Sequence, residues 1–295
     1  MGDWITITSG ELTAAIDPLG AELSSLRDRD GRELMTDADP AFWAGRAPLL
    51  FPIVGRLNGD RLRVDGRDYL MKQHGFARRM MFAVEEVRSD RAVFALADSD
   101  ETRAQYPFPF RLEVTFSIAQ ATLTIDVTIA NLGDRPLPAG FGFHPAFAWP
   151  LPYGYAREDH RIVFAAAEPA PIKRLQDGLV AGDRPSPLTG TVLPLADDLF
   201  TDDALVWDPV TSRSVTYGAP EGPQLYIAFP DTPQLGIWTK PGARFVCIEP
   251  WHGHADPVGY TGDLHDKPGM FTVAPGESRR IAMSVALVAA GPATA

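Results

Sequence analysis

Two adjacent segments in which every second residue is apolar determine the fold class. Residues 112–118 read Leu-Glu-Val-Thr-Phe-Ser-Ile, and residues 123–129 read Leu-Thr-Ile-Asp-Val-Thr-Ile. A period of two places the apolar side chains on one face of a β-strand, so each segment predicts a strand with one buried and one wetter face. The short connection between them predicts an antiparallel pair. Residues 281–287 repeat the alternation near the end of the chain.

Strand-like runs also occur along the rest of the chain. They lie at residues 5–8, 82–87, 92–96, 214–217, 225–229 and 245–248. Asp65-Gly66 predicts a two-residue hairpin turn, because Asp and Gly tolerate positive φ. The 27 prolines and 26 glycines interrupt every segment that could form a long helix, which argues against alternating βα units.

The expected architecture is therefore all-β. We expect one domain over residues 1–295, a large twisted antiparallel β-sandwich of many strands. Residues 136–155 and 168–194 are rich in proline and are expected to form long surface loops, which often carry functional residues.

Charge and composition exclude several classes of partner. The chain has 38 acidic and 27 basic residues, a net charge of −11 and a pI near 5.0. Such a charge repels phosphate backbones, so no nucleic acid is expected as a partner. No run of about 18 apolar residues predicts a membrane span, and the first six residues lack the features of a signal peptide. The single cysteine, Cys247, lies in an apolar run and predicts a buried thiol, so we expect a cytoplasmic protein.

Three residues are candidates for acid–base chemistry. His74 precedes a glycine that lets the backbone or a ligand approach, and His144 precedes Pro145, which favours an extended backbone. Glu249 follows a buried apolar run, where loss of hydration raises the pKa of a carboxyl group towards that of a general base. The alternative for each histidine is a structural hydrogen bond, and for Glu249 a buried ion pair with Arg56 or Arg244.

Other side chains near these residues are suited to sugar binding. Arg56 ends an apolar segment after Gly55 and offers a planar fork of donors for hydroxyl groups or a carboxylate. Phe76, Trp251, Phe147 and Trp149 supply aromatic faces, although a core position is the simpler interpretation of any one of them.

The segment His252-Gly253-His254-Ala255-Asp256 supports a competing hypothesis. Two imidazoles and a carboxylate at this spacing can bind one zinc ion, as in metal-dependent hydrolases. The motif is short, and metal hydrolases with this spacing normally have alternating strands and helices. We therefore rank the metal site below a metal-free one.

Three segments together resemble the aldose 1-epimerase (galactose mutarotase-like) family, in particular its shorter bacterial branch. They are residues 48–57 (PLLFPIVGRL) with 73–78 (QHGFAR), then 142–147 (GFHPAF) and 247–253 (CIEPWHG), and they span about two thirds of the chain. The resemblance implies a large antiparallel β-sandwich. It also implies interconversion of the α and β anomers of an aldose without a metal or other cofactor.

The resemblance further implies roles for particular residues. Glu249 matches the base that acts on the anomeric hydroxyl, and His144 matches the acid that acts on the ring oxygen. His74 matches a second histidine that binds the sugar, and Arg56 matches an arginine that contacts hydroxyl groups. Asp203 is the candidate for an aspartate that holds sugar hydroxyls, with the adjacent Asp202 as its competitor. In this scheme Glu249 starts ionised and His144 starts protonated.

Two further questions stay open on the sequence. A sugar-binding protein on the same fold would keep Arg56 and the aromatic residues but would not need both Glu249 and His144. Arginines near His74, including Arg78 and Arg79, favour a phosphorylated sugar, whereas the acidic net charge favours a neutral one. The sequence carries no signal for oligomeric state.

Overall fold

Antiparallel strands make up nearly all of the regular structure. The computed structural model describes residues 4–290 and contains 24 strands, β1 to β24. In chain order these are β1 (Ile5–Thr8), β2 (Leu12–Asp17), β3 (Glu22–Asp28), β4 (Leu49–Leu50), β5 (Arg61–Val64), β6 (Arg67–Leu70), β7 (Ala83–Val87), β8 (Arg91–Ala97), β9 (Phe110–Ala119), β10 (Thr122–Asn131), β11 (Leu137–Ala139), β12 (Phe141–Phe143), β13 (Ala146–Ala148), β14 (Arg161–Phe164), β15 (Ile172–Gln176), β16 (Leu179–Arg184), β17 (Val192–Pro194), β18 (Leu205–Trp207), β19 (Ser214–Gly218), β20 (Gln224–Ala228), β21 (Gln234–Trp238), β22 (Phe245–His252), β23 (Phe271–Val273) and β24 (Ser278–Val288).

Helical structure is limited to single turns. The α-helix α1 covers Asp100–Arg103, and 3₁₀ turns lie at Asn58–Asp60, Ala77–Arg79, Arg157–Asp159, Asp197–Phe200 and Leu264–Asp266. Within residues 4–290, no helix has the length and apolar character needed to cross a bilayer.

The two alternating segments form the centre of the larger sheet, as predicted. β9 and β10 pair in a register that sets Val114 opposite Val127, and alternate residues along both strands are buried. β24 pairs with the other edge of β10 and buries Ile281, Met283 and Val285. The Asp65-Gly66 hairpin is also confirmed, because both residues have positive φ between β5 and β6.

Two large sheets pack face to face as a β-sandwich, which confirms the predicted fold class. The first has nine strands in the order β17-β14-β19-β20-β24-β10-β9-β8-β7. The second has eight, in the order β16-β15-β18-β21-β22-β12-β4, with β13 also paired to β22. Side chains from the inner faces of both sheets form one continuous core, in which Val127 of the first sheet and Ile248 of the second are fully buried.

The expectation that residues 136–155 and 168–194 form surface loops is wrong in large part. β11, β12 and β13 lie in the first segment and β15, β16 and β17 in the second, and residues 137–148 are nearly all buried. Prolines and glycines limit several of these strands to three residues but do not prevent pairing with longer neighbours such as β22. The prolines in these segments therefore indicate short strands rather than loops.

The outer face of the eight-stranded sheet differs from its inner face. On β22, Val246 and Ile248 point into the main core, whereas Cys247 and Trp251 belong to two smaller clusters on the opposite side. β18 and β21 show the same division, with Val206 and Trp238 on the outer side. This outer face is where the candidate site lies.

Candidate functional site

A cavity of about 310 Å³ opens on the outer face of the eight-stranded sheet. Its volume lies at the lower end of the range for small-molecule sites, roughly 300–1,000 Å³. The lining combines titratable side chains with aromatic and small ones. The lining residues are Trp43, Gly55, Gln73, His74, Arg78, His144, Leu175, Gly178, Val180, Asp203, Ala204, Val206, Trp238, Glu249, Trp251, His254 and Ala255.

Strand register places His144 opposite Glu249. β12 pairs Gly142 with Trp251, and β13 pairs Ala146 with Cys247. His144 lies two residues after Gly142 and two before Ala146, so the same register places it opposite Glu249 on the outer face. His144 Nε2 lies 3.2 Å from Glu249 Oε2, and the two side chains are only 9% and 2% exposed.

Burial shifts the pKa values of this pair in opposite directions. Loss of hydration, reinforced by the negative charge of Asp203, raises the pKa of Glu249 well above its usual value. The Trp251 indole N–H lies near the carboxyl group and opposes this rise, although it forms no hydrogen bond of normal geometry. Burial lowers the pKa of His144 to about 3.

The directions of both shifts oppose the expected ionised glutamate and protonated histidine. Both shifts favour the neutral forms, a protonated Glu249 beside an uncharged His144. The ion pair contains the same number of protons, and the two forms differ only in the position of one proton across the 3.2 Å contact.

His74 lies beside His144 in a constrained backbone conformation. Its φ is +66°, which is uncommon for a residue other than glycine, and its ring centroid is 5.8 Å from that of His144. The amide of His74 donates to Gly55 O, and His74 Nδ1 accepts from Gly55 N–H at 3.1 Å. Because Nδ1 accepts, the proton of the neutral ring is on Nε2. Burial and the neighbouring His144 lower the pKa of His74 well below its usual value.

Asp203 lines the cavity, and the adjacent Asp202 does not. Asp203 has a φ of +76°, and its side chain accepts from the backbone N–H of Ala204 at 2.7 Å. Asp202 is exposed and lies 3.8 Å from Arg184. Of the two aspartates considered from the sequence, the structure brings Asp203 to the cavity.

Trp251 forms part of the cavity floor because its neighbouring strands carry glycine. A Cβ on Gly236 of β21 would lie 2.4 Å from the Trp251 ring, and one on Gly142 of β12 would lie 2.6 Å from it. The indole is thus packed flat against the sheet over two positions without side chains. It is 7% exposed, and its N–H has no hydrogen-bond partner within residues 4–290.

Two tryptophans that line the cavity, Trp43 and Trp238, were not predicted from the sequence. Trp43 and Trp238 contact each other edge to face at 5.7 Å, and the ring of Trp43 lies 5.0 Å from that of His144. Trp43 comes from a loop without periodicity, so nothing local in the sequence marks it. Trp238 ends β21 as the outward member of an alternating strand, which is a signal that could have identified it.

Four of the residues considered for sugar binding lie outside the cavity: Arg56, Phe76, and the core residues Phe147 and Trp149. Phe76 is 3% exposed and packs in the main core, with its ring 5.9 Å from that of Phe110. Arg56 follows Gly55, whose φ of +74° turns the chain, and its guanidinium contacts Asp60 and Asp177 O instead. Arg78 is the arginine that lines the cavity.

The sequence-derived metal motif does not assemble. Asp256 pairs with Lys267 at 3.0 Å and accepts from Asn58 N, so its carboxylate serves a buried structural contact. His252 packs edge to face against Phe271, away from the cavity that His254 lines. The three residues therefore do not form a common ligand set.

Another group within residues 4–290 has closely spaced potential ligands. The ligand atoms of His144, Cys247 and Glu249 lie within 4.8 Å of one another. Cys247 is buried, as predicted, and burial raises the pKa of its thiol well above the usual value. A metal ion at this position would have to displace protons from both the thiol and Glu249.

Comparisons with known proteins agree with the fold. A family model described as aldose 1-epimerase matches residues 3–285. The chromosomal form of Protein LacX from Lactococcus lactis subsp. lactis is 32% identical over 283 residues, covering 92% of this chain and 95% of that protein. A galactose mutarotase related enzyme from Lactobacillus acidophilus superposes with a TM-score of 0.91 at 32% identity, covering 97% of this chain and 98% of that one.

More distant structures share the fold. A galactose mutarotase-like protein from Lactobacillus casei has a TM-score of 0.89 at 30% identity, covering 97% of this chain and all of that one. A galactose 1-epimerase from Lactobacillus acidophilus has a TM-score of 0.70 at 13% identity, covering 97% of this chain and 94% of that one, which supports the fold alone. With the family model and the curated relative each covering more than nine tenths of its length, the chain belongs to the aldose 1-epimerase family.

Proposed function

We propose that this protein is an aldose 1-epimerase that interconverts the α and β anomers of an aldose by acid–base catalysis. The proposal depends on one observation, the 3.2 Å contact between His144 Nε2 and Glu249 Oε2 at the cavity. The reaction removes a proton from O1–H and delivers one to the ring oxygen O5, and both oxygens are bonded to C1. An acid and a base in mutual contact are therefore correctly spaced for it.

The proposed reaction moves two protons and breaks one bond. When the sugar enters, the shared proton passes from Glu249 to His144, which creates the carboxylate and the imidazolium. Glu249 then takes the proton of O1–H, the C1–O5 bond breaks as the C1–O1 double bond forms, and His144 protonates O5. Rotation about C1–C2 exposes the other face of the aldehyde, and ring closure returns both protons. Each transfer is carried by a side chain of the protein, so the scheme uses no cofactor.

The remaining cavity residues have supporting roles in this proposal. His74 carries Nε2 beside His144, within 3.2 Å of the Gln73 side-chain amide, and Asp203 offers an acceptor on the side of Glu249. Trp43, Trp238 and Trp251 supply aromatic faces, and the unpartnered Trp251 N–H can donate to a sugar oxygen.

Replacement of the base tests the proposal. Wild-type protein is expected to accelerate mutarotation of freshly dissolved α-anomers of glucose or galactose, followed by polarimetry. Glu249→Gln keeps the shape of the side chain but cannot accept the proton, so the catalysed rate is expected to fall by about 10²- to 10⁴-fold. Glu168→Gln is the matched control, because Glu168 is also buried but holds the backbone N–H groups of Thr211 and Ser212 instead of facing the cavity.

The same assay separates the enzyme from a sugar-binding protein. If calorimetry detects sugar binding but no aldose, free or phosphorylated, mutarotates faster than in buffer, the epimerase proposal fails and the binding function replaces it. A rate for Glu249→Gln equal to that of wild type would also contradict the role of Glu249.

A further inference from the structure

Arg78 is a partly buried cation in the cavity wall. Among residues 4–290 it is the only arginine or lysine in the lining, and no carboxylate lies within 4.0 Å of its guanidinium. Its one hydrogen bond is from Nη2 to Gln73 O at 3.3 Å, and burial lowers its pKa to about 10. A partly buried guanidinium that lines a cavity and has no carboxylate partner is suited to an anionic ligand.

The charges divide the cavity into two ends. The positive charge of Arg78 acts on His74 and His144 and lowers the pKa of both. The negative charge of Asp203 acts on Glu249 and raises its pKa. The histidine side of the cavity is therefore the positive end, and the side of Glu249 and Asp203 is the negative end.

The chemistry of ring opening orients the sugar between these ends. In a pyranose, O5 is bonded to C5, and C5 carries C6. If His144 protonates O5 while Glu249 accepts from O1–H, the C6 substituent lies on the histidine side, next to Arg78.

We propose that the substrate is an aldose with an anionic group on C6, either a uronate carboxylate or a 6-phosphate, and that Arg78 binds this group. The inference rests on the proposed function, because it uses the orientation that ring opening requires. A planar guanidinium donates two parallel hydrogen bonds to either anion, so both substrates present the same chemistry to Arg78. Arg56 does not provide this contact, since its guanidinium is directed to Asp60 and Asp177 O.

Mutarotation rates for matched sugars test the inference. We would measure kcat/KM by NMR exchange at about 0.15 M salt for glucose, glucuronate and glucose 6-phosphate, and for the same three forms of galactose. In wild-type protein at least one anionic form is expected to exceed its neutral parent by about tenfold or more. The two anionic arms identify whether the carboxylate or the phosphate is the better ligand.

Arg78→Gln is expected to lower kcat/KM for the anionic sugar by about tenfold to a hundredfold, the usual range for a hydrogen-bonded charge. Because the charge of Arg78 also acts on His74 and His144, the neutral sugar is expected to lose some activity as well, but less than the anionic one, so the ratio of the two kcat/KM values measures the anion contact. Arg79→Gln is the matched control: Arg79 is adjacent and exposed, donates to Gly75 O, and does not line the cavity. It removes the same charge and is expected to change both rates by less than about threefold.

A ligand that cannot mutarotate separates failure of the inference from failure of the proposed function. 1,5-Anhydroglucitol 6-phosphate has no anomeric hydroxyl, and its binding, measured by calorimetry against 1,5-anhydroglucitol, reports the anion site alone. Binding that is lost in Arg78→Gln would support the anion site even if no aldose mutarotates. The inference is overturned if the anionic and neutral forms bind and react equally well, if Arg78→Gln lowers both alike, or if Arg56→Gln causes the larger loss for the anion.

Discussion

At the residue level, the proposed chemistry depends on a single proton shared by two buried side chains. Glu249 and His144 are in contact, and burial favours the neutral form of each. The neutral pair can become an ion pair without exchange of a proton with solvent, because only the position of the proton changes. In the proposed mechanism, the hydroxyl groups of the sugar stabilise the charged form, so ionisation is coupled to binding.

The raised pKa of Glu249 makes the stability of the folded protein depend on pH. In the unfolded chain the carboxyl group ionises above its ordinary pKa of 4.5, whereas in the folded protein it keeps its proton up to a higher pH. Between pH 4.5 and the raised pKa of Glu249, the folded protein therefore binds more protons than the unfolded protein. The contribution of Glu249 to stability is lost as the pH rises through this range. Glutamine does not titrate, so the melting temperature of Glu249→Gln minus that of wild type is expected to become more positive between pH 4.5 and pH 7.5.

Glu168→Gln is the control, and its expected effect on the melting temperature at pH 7.5 is a decrease. It weakens two hydrogen bonds of 2.7 Å to Thr211 N and Ser212 N, and is expected to melt below wild type at pH 7.5. If the difference between Glu249→Gln and wild type instead becomes more negative as pH rises, Glu249 is ionised in the empty cavity and the neutral pair is wrong.

At the level of elements, a break between two short strands creates the site. β12 ends at Phe143 and β13 begins at Ala146, and both pair with β22. His144 lies in this break, directly across from Glu249. Ile248 N donates to Pro145 O at the same place, so β22 stays hydrogen-bonded to the segment that separates the two short strands.

The glycine positions under Trp251 lead to a prediction for β21. In Gly236→Ala the new Cβ would lie 2.4 Å from the Trp251 ring, so the indole must lift from the sheet into the cavity. We expect a loss of stability of about 1–3 kcal/mol, measured by urea unfolding, together with a raised KM for the sugar.

A double-mutant cycle identifies the cause of that loss. Trp251→Leu removes the ring, so Gly236→Ala is expected to cost less in that background than in wild type, with a coupling of about 1 kcal/mol or more. Equal costs in both backgrounds would place the damage elsewhere in β21.

For the whole molecule, local periodicity was sufficient to predict the architecture but not the arrangement of the site. Alternation in residues 112–129 identified the central strands, and the hairpin at Asp65-Gly66 followed from backbone preference. Motifs indicated Glu249, His144 and His74, which the structure brings to one cavity. The position of Arg56 outside the cavity was not predictable, because it depends on a turn at Gly55 and on a contact with Asp177, which is distant in sequence.

Buried neutral histidines make the whole protein sensitive to acid. Burial lowers the pKa of His74, His144, His160, His252 and His254, five of the six histidines. Unfolded histidine takes up a proton near pH 6.5, whereas these side chains stay neutral in the folded protein until a lower pH. The unfolded state therefore binds more protons below pH 6.5, and stability falls as the pH decreases. With a folded pKa of about 3, His144 alone contributes a loss of about 2 kcal/mol at pH 5.

We expect the melting temperature to be highest above pH 6.5 and to fall progressively at pH 6.0, 5.5 and 5.0. His252, whose pKa burial and Arg279 lower to about 4, is only partly buried and lies away from the cavity, so His252→Gln should fold and show a smaller decrease over the same range. Glu249 titrates with the opposite effect, so the decisive protein is Glu249→Gln: a constant melting temperature of this variant between pH 7.5 and 5.0 would mean that these histidines accept protons in the folded state, and the neutral cavity deduced from their burial would be wrong.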